Sequence, residues 1–334
     1  MLKTILARLA SMALTMLGVA IVVFVLIRVA PGNPIAMMLP PGATEADVAR
    51  LTAMYGLDKS LFEQFIIWGA NALQGDFGTS ITTRQPVWGL VLERLPATLE
   101  LSILALFIAV ALGGFTAILG ARARGRSPEA GVDLFNGITL SIPDFLWGLL
   151  LILLFGVLWP VLHISGRISP HLSLPFVTQF YLFEGIARLR FDLVADLLAH
   201  MIMPALSLAL PLAAIISQLL KQGLKEVLEQ DYTVLARVRG FTEIQVILRE
   251  ALRNAALPTL TLIGVQFTFL IGGTVIVERL FAYEGLGNMA IDAVINRDLP
   301  LIQGIVLTFA GIFILVNLVV DLAYTFLNPR LRHG

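Results

Sequence analysis

LARVRGFTEIQVILREALRNAALP, residues 235–258, carries four arginines, Arg237, Arg239, Arg249 and Arg253, in a chain where 14% of residues are charged. Long apolar segments flank it on both sides. The stretch reads as helix, break, helix. Leu224, Val227, Leu228, Leu235 and Val238 recur at three- or four-residue steps, which predicts one amphipathic helix from Gly223 to Arg239. Gly240 follows as a terminator in the left-handed conformation, where a side chain would clash with the backbone. Thr242 with Gln245 three residues later is the pattern of a capping box, and Phe241 is placed to staple against Val246. Ile244, Ile247, Leu248, Ala251 and Ala255 then share one face, and Arg249 and Arg253 stand together at i, i+4. Pro258 fits the opening of the next apolar segment. Two uses suit such a helix pair. It can lie on anionic lipid with its arginines among the head groups, or it can dock a protein partner.

The flanking segments decide what kind of chain this is. Of 334 residues, 57% are hydrophobic, whereas soluble domains have about 25% charged residues. Apolar runs of about 20 residues recur, long enough to cross a hydrocarbon layer of about 30 Å. The reading is an all-α polytopic membrane protein with six transmembrane helices, at 9–30, 97–120, 134–160, 197–220, 258–277 and 302–326. Lys3 and Arg8 precede the first run as they would in a signal peptide, but the run exceeds the 7–15 residues of such a segment. It is expected to be retained. Three regions follow: 1–30 with the first span, an external segment 31–96 with short helices over Ala46–Met54 and Leu61–Leu73, and a core of five spans over 97–334. The core contains the loop 222–257. A second external stretch, 163–195, contains the irregular RISPHLSLP (167–175).

Orientation comes from basic residues beside the spans. With both termini in the cytoplasm, the inner segments hold Lys3 and Arg8, then Arg122, Arg124 and Arg126, the six basic residues from Lys221 to Arg253, and Arg330 and Arg332, which is 13 of the 23. Segment 31–96 has four basic and six acidic residues, which suits the outer side. The chain has no cysteine and a formal net charge of zero, so thiolate chemistry is excluded and no basic surface points to nucleic acid. No GxxxxGK(S/T) occurs, so nucleotide phosphates are not cradled that way. HExxH is absent too. His163 and His171 read as solvated loop residues, and no metal site is expected. GDFGTS (75–80) and EGLGN (284–288) read as turns.

The quoted stretch resembles the EAA coupling loop of importer permeases of the ATP-binding-cassette class. The matching residues are Ala236, Arg237, Gly240, Leu252, Arg253, Asn254, Leu257 and Pro258. Elsewhere the chain is similar to the first permease subunits of dipeptide and oligopeptide importers. The motifs are PGNP (31–34), YGLDKSLFEQF (55–65), GDFGTS, ATLEL (97–101), SIPDFLWG (141–148), FAYEGLGN (281–288) and VNLVVDLAYTFLNPRLR (316–332). Asn33 stands where that family usually has aspartate, and Tyr283 where tryptophan is common. The resemblance implies the type I importer permease fold and a multi-pass protein of the bacterial inner membrane, forming half of a pathway for di- or oligopeptides. It implies a second homologous permease, two ATP-binding subunits that hold ATP and Mg, and an external substrate-binding protein, with membrane lipid around the spans. This chain would hold no cofactor and do no covalent chemistry. ATPase coupling would fall to Ala236, Arg237, Arg239, Gly240, Arg249, Arg253 and Asn254. Two other classes are weighed against it: an ion-coupled secondary transporter, active without an ATPase, and an intramembrane enzyme.

Ionisable groups within spans face an interior or a pathway. Asp144, after Pro143 in the third span, is either a pathway carboxylate meeting the ammonium end of a peptide or a structural one paired with a neighbouring helix. Gln218 and Gln266 either line the pathway or bond between helices. Asp321 reads as structural, Glu100 as solvated at the outer end of the second span, and Arg28 as reaching outward to the interface. The arginine pattern predicts that residues 122–130 and 222–256 lie inside. In a chain without native cysteine, a Ser127→Cys protein should resist an impermeant thiol reagent in intact cells and react once the membrane is opened. Reaction in intact cells would reverse the topology.

Overall fold

The computed structural model describes residues 2–29, 44–46, 49, 58–172 and 176–327. Among these the chain is helical apart from turns and one isolated bridge between Thr79 and Pro86. The helices are α1 (Leu2–Val29), α2 (Leu61–Leu73), α3 (Val87–Arg122), α4 (Ser127–Ser141) and α5 (Asp144–Leu151), continued by a π-helical turn at Ile152–Leu158. Then come α6 (Tyr181–Ala187), α7 (Phe191–Val227), α8 (Asp231–Val238), the short α9 (Glu243–Gln245) and a second π turn at Val246–Ala251. α10 (Leu252–Leu280), α11 (Leu286–Ile295) and α12 (Leu299–Leu327) complete the order. The expected helix at Ala46–Met54, the PGNP motif, the side chains of Arg28 and Asp321, and Arg330 and Arg332 lie outside the described residues.

Among the described residues, four stretches are long and apolar enough to cross a membrane: α3, α7, Glu243–Leu280 and the Leu299–Val320 part of α12. The bent pair Ser127–Ser141 and Asp144–Leu158 is a fifth when taken as one span, and α1 holds a shorter apolar stretch, Ala10–Val25. The third span, expected to run unbroken over 134–160, is bent by 101°. Pro143 is the cause. It has no N–H to donate, and its ring pushes the preceding residue out of helical geometry. Ile142 accordingly sits at φ −105°, ψ 121°. Pro258 behaves differently: α10 passes through it and begins six residues earlier than a span opening at Pro258 would.

The chain forms two compact units, 1–95 with 289–314 and 96–288 with 315–334. In the first, Phe24 of α1 packs against Phe65 and Trp68 of α2 with centroids 5.3 and 5.7 Å apart. The GDFGTS turn uses positive φ at Gly75 and Gly78. It is anchored by Ser80, whose hydroxyl donates to the buried Asp298 carboxylate at 2.5 Å, while the Thr82 N–H donates to the same oxygen at 3.0 Å.

In the second unit α7 is the central helix, buried along most of its length. Small residues let α3 lie close against it: a Cβ at Gly113 would stand 2.6 Å from the Ala213 carbonyl oxygen. Such close approach is how helices associate where both lipid and side chains are apolar. The Ser217 hydroxyl accepts from Thr116 of α3 at 3.0 Å and from Asn136 of α4 at 3.1 Å, a polar knot joining three helices. Glu100 is buried, not solvated as expected. It accepts from Arg167 at 2.8 Å, from the Leu182 N–H at 2.9 Å and from the Phe183 N–H at 3.1 Å, while Arg167 also donates to the Gln179 carbonyl and covers the Tyr181 ring. The partners lie 67 and more residues away, so nothing near Glu100 in the sequence announces them. The EGLGN turn wraps another buried carboxylate: Glu278 accepts from Thr98 at 2.7 Å and from the Asn288 N–H at 2.9 Å, and a side chain at Gly285 would overlap it.

Gly113→Ala should lower the thermal midpoint of the purified protein, since overpacking of this kind costs about 1–3 kcal/mol. Gly114→Ala, with nothing near its Cβ position, should leave the midpoint unchanged. Equal midpoints for the two variants would remove close α3–α7 packing from the account.

Candidate functional site

The single helix expected from Gly223 to Arg239 is two. α7 ends at Val227, residues 228–230 turn, and α8 restarts at Asp231. The turn is closed by the Thr233 hydroxyl, which donates to the carbonyls of Gln230 at 2.7 Å and Leu228 at 3.0 Å. This break resets the helical register. Leu224 and Leu228 are buried as the sequence suggests, but Leu235 is 49% and Val238 78% exposed, with Tyr232 and Val234 also outward. Ala236 takes the inner position, 5% exposed, in a buried cluster with Leu220, Leu224, Leu228, Val246 and Ile247.

Gly240 has φ +88° with no atom near its Cβ position, so glycine is required there by backbone conformation and not by space. Thr242 and Gln245 then form the capping box, with the Thr242 N–H donating to the Gln245 side chain at 2.9 Å. The π turn that follows is one residue wider than an α turn. Val246, Ile247 and Ala251 therefore face the core together, whereas Leu248, expected inward, is exposed.

Three contacts fasten this bend to the spans. Arg237 grips Glu243 with both forks, Nε to Oε2 at 3.0 Å and Nη2 to Oε1 at 2.8 Å, and its Nη1 donates to the Leu228 carbonyl at 3.0 Å. Asn254 at the start of α10 donates to the Tyr232 hydroxyl of α8 at 2.9 Å. At Gly223 the helices α7 and α10 nearly touch, with the Ala255 carbonyl 3.0 Å from where a Cβ would stand. Of the residues the sequence singles out, Ala236 is buried, Arg237 is half-buried and braces the bend, Asn254 is exposed but ties α10 to α8, and Arg239, Arg249 and Arg253 lie exposed. Glu243 and Tyr232 were missed. Their partners are six and 22 residues away, spacings that no straight helix brings together. Beside the bend, Arg122, Arg124 and Arg126 share a groove with Glu229, Arg237 and Glu243, and Arg124 pairs with Glu229 at 2.6 Å.

The intramembrane candidates are not brought together. Asp144 is half-buried at the first residue after the break, its Oδ2 3.3 Å from the Cβ position of Gly273 in α10. Gln218 is exposed ten residues along α7 from Leu208, which also lines that glycine, and Gln266 is half-buried seven residues before it. At 1.5 Å per residue those offsets are about 15 and 10 Å along the helix axes.

Comparison with known proteins matches residues 109–333 to the family described as "Binding-protein-dependent transport system inner membrane component", and residues 1–102 to the N-terminal region of such membrane components. The chain is 38% identical to the dipeptide transport system permease protein DppB of Escherichia coli (strain K12), over all of this chain and 99% of that protein. It is 35% identical to the probable peptide ABC transporter permease protein y4tP of Sinorhizobium fredii, covering 98% of this chain and 99% of that one. It is also 35% identical to the glutathione transport system permease protein GsiC of Salmonella choleraesuis, over the full length of both. Among solved structures, the inward-facing MetNI methionine ABC transporter superposes with a TM-score of 0.55 at 15% identity, over 72% of this chain and 96% of that chain, a likeness of fold.

Arg237→Lys keeps the charge but loses the fork that holds Glu243. For a pair this exposed the loss is at most about 1 kcal/mol, so backbone amides at 241–246 should exchange with deuterium up to about fivefold faster. Arg239→Lys should leave exchange there unchanged. Identical exchange in the two variants would show that Arg237 does not brace the bend.

Proposed function

The chain belongs to the binding-protein-dependent transport system inner membrane components; it is a multi-pass permease subunit of an ABC importer, with ATP hydrolysis left to a separate subunit, and we propose that its cargo is a di- or oligopeptide. Family membership sets aside the ion-coupled transporter and the intramembrane enzyme. The peptide reading is supported by the names of full-length relatives, which include a dipeptide, a di/tripeptide and a glutathione system, all short peptides or peptide-like molecules. In this reading the chain has six spans with both termini in the cytoplasm and lines half of the pathway beside a second homologous permease. Two ATPase subunits bind ATP and Mg, and the outer segment 31–96 receives an external binding protein.

The observation that carries the coupling role is the surface of α8. A short helix outside the long apolar stretches turns Leu235 and Val238 outward beside Arg239 while its inner face is buried and braced. An apolar strip on a polar helix is the mark of a partner surface. The ATPase is the partner proposed, with Arg239, Arg249 and Arg253 available to its acidic groups. When the ATPases close, they move α8 and α9, and the movement passes through the π turn into α10.

Val238→Glu changes only an exposed side chain, so the protein should insert and remain folded. It should lose co-purification of the ATPase and ATP-dependent dipeptide uptake. Gly240→Val, which meets no atom but forbids the backbone conformation, should do the same. A helix pair that merely rests on lipid would keep the ATPase in both variants, and that result would remove the coupling role.

A further inference from the structure

His163 is not the isolated loop residue that its sequence neighbourhood suggests. Its ring stacks on that of His200, with centroids 4.0 Å apart and planes within 12°. His200 lies one helical turn after Asp196 near the N-terminal end of α7, far along that helix from the coupling bend. One donor atom from each of His163, Asp196 and His200 lies within 4.8 Å of the other two. His200 is buried, Asp196 half-buried and His163 exposed, so the cluster is open on one side.

The surroundings hold two of these groups in place. The His200 Nδ1 is 2.8 Å from the Asp196 carbonyl oxygen, a contact that orients the ring. Both Asp196 carboxylate oxygens accept from Ser169, one from its hydroxyl at 2.6 Å and one from its N–H at 2.9 Å. Contacts of this kind, a backbone carbonyl on the imidazole and hydrogen bonds on the carboxylate, are what fix ligands around a metal ion. His163 and Ser169 come from one stretch of irregular chain, and Asp196 and His200 from one face of a helix. A bound ion would therefore tie that stretch to α7.

We propose that His163, Asp196 and His200 form a binding site for a divalent transition-metal ion of the zinc class. The donor set selects the ion. Two imidazoles and one carboxylate suit zinc, nickel or copper, whereas calcium and magnesium take oxygen ligands. A tetrahedral zinc ion holds its ligands at about 2.0–2.2 Å, which places donor atoms about 3.4 Å apart. The donor atoms now lie within 4.8 Å of one another, so an ion would draw all three side chains inward, with the exposed His163 ring leaving its parallel stack. The fourth position is left to water.

The probe is Zn²⁺, added to the full-length permease purified with its partner subunits through a histidine-free tag. Wild-type complex should bind one Zn²⁺ per copy of this chain and show a raised melting temperature in its presence. His163→Gln, at an exposed position that folding does not require, should weaken binding at least tenfold and abolish the rise. Ser169→Ala removes one bond to the carboxylate and no ligand, and should weaken it about tenfold. Excess Ca²⁺ should not displace the zinc. If His163→Gln binds Zn²⁺ as tightly as wild type, or Ca²⁺ competes on equal terms, the site is not there and the histidines are only a stacked pair. Retained co-purification of the partner subunits shows that each variant is still assembled. Because binding and melting are read without transport, the result is independent of the cargo assignment.

Discussion

A backbone carbonyl or amide released inside a hydrocarbon layer finds no water, so every interruption of a span must be satisfied by the protein itself. That constraint organises this chain. Where Pro143 breaks the third span, the new helix begins at once with Asp144, and the carboxylate lies against a glycine of α10. Where α10 ends, the turn that follows folds its amides around Glu278, and Thr98 of α3 closes the set by donating to that carboxylate and accepting from Leu286. Where α3 passes the irregular stretch after residue 158, Glu100 collects an arginine and two backbone amides. The buried carboxylates Glu100 and Glu278 are thus staples for neighbouring chain whose amides no helix satisfies. Removing Arg167 would be costly, because Glu100 would stay buried without its cationic partner.

The same pattern appears at the bend around Gly240. Arg237 could serve a partner only by giving up Glu243 and the Leu228 carbonyl, and its bonds there cross the bend itself. Its work is internal. The bend is stiff because it is tied at both ends, to α7 through Ala236 and the Gly223–Ala255 approach and to α10 through Asn254 and Tyr232. Stiffness is what a lever needs. α10 begins before Pro258 and runs 29 residues without interruption, about 44 Å at 1.5 Å per residue. In the coupling role proposed above, a displacement at α9 would be delivered along it instead of being absorbed at a joint.

Much of this was legible in the sequence, and the failures share one cause. Apolar runs located the long helices, and the residues Gly240, Thr242 and Gln245 announced a bend because their chemistry is local: a left-handed glycine and a capping pair act within four residues. The errors fall where periodicity was carried across a break. Counting by threes and fours from Leu224 to Val238 put Leu235 and Val238 inside, yet Thr233 stops the helix at 228–230 and restarts it in a different register. Counting from Ile244 put Leu248 inside, yet the π turn adds a residue. The break in the third span had its signal in Pro143, yet the apolar run across it was read as one span. Glu100, Glu243 and the pairing of His163 with His200 depend on tertiary neighbours, and no local rule reaches them.

The misread register is also the informative one. Had Leu235 and Val238 faced the core, α8 would be a finished amphipathic helix with a polar exterior, and only its arginines would offer anything to a partner. Arginines alone serve a lipid surface as well as a protein. The break at 228–230 adds apolar side chains to that surface and so supports the protein-docking reading proposed above. It spends the inner face on the small residues Thr233 and Ala236, which sit close to α7 and the π turn, and leaves larger apolar side chains outside next to charge. A surface of that kind has apolar anchors with a charged rim, the anatomy of a protein–protein contact. It belongs to an element already made rigid by its own chain, so a partner meets it without first having to order it.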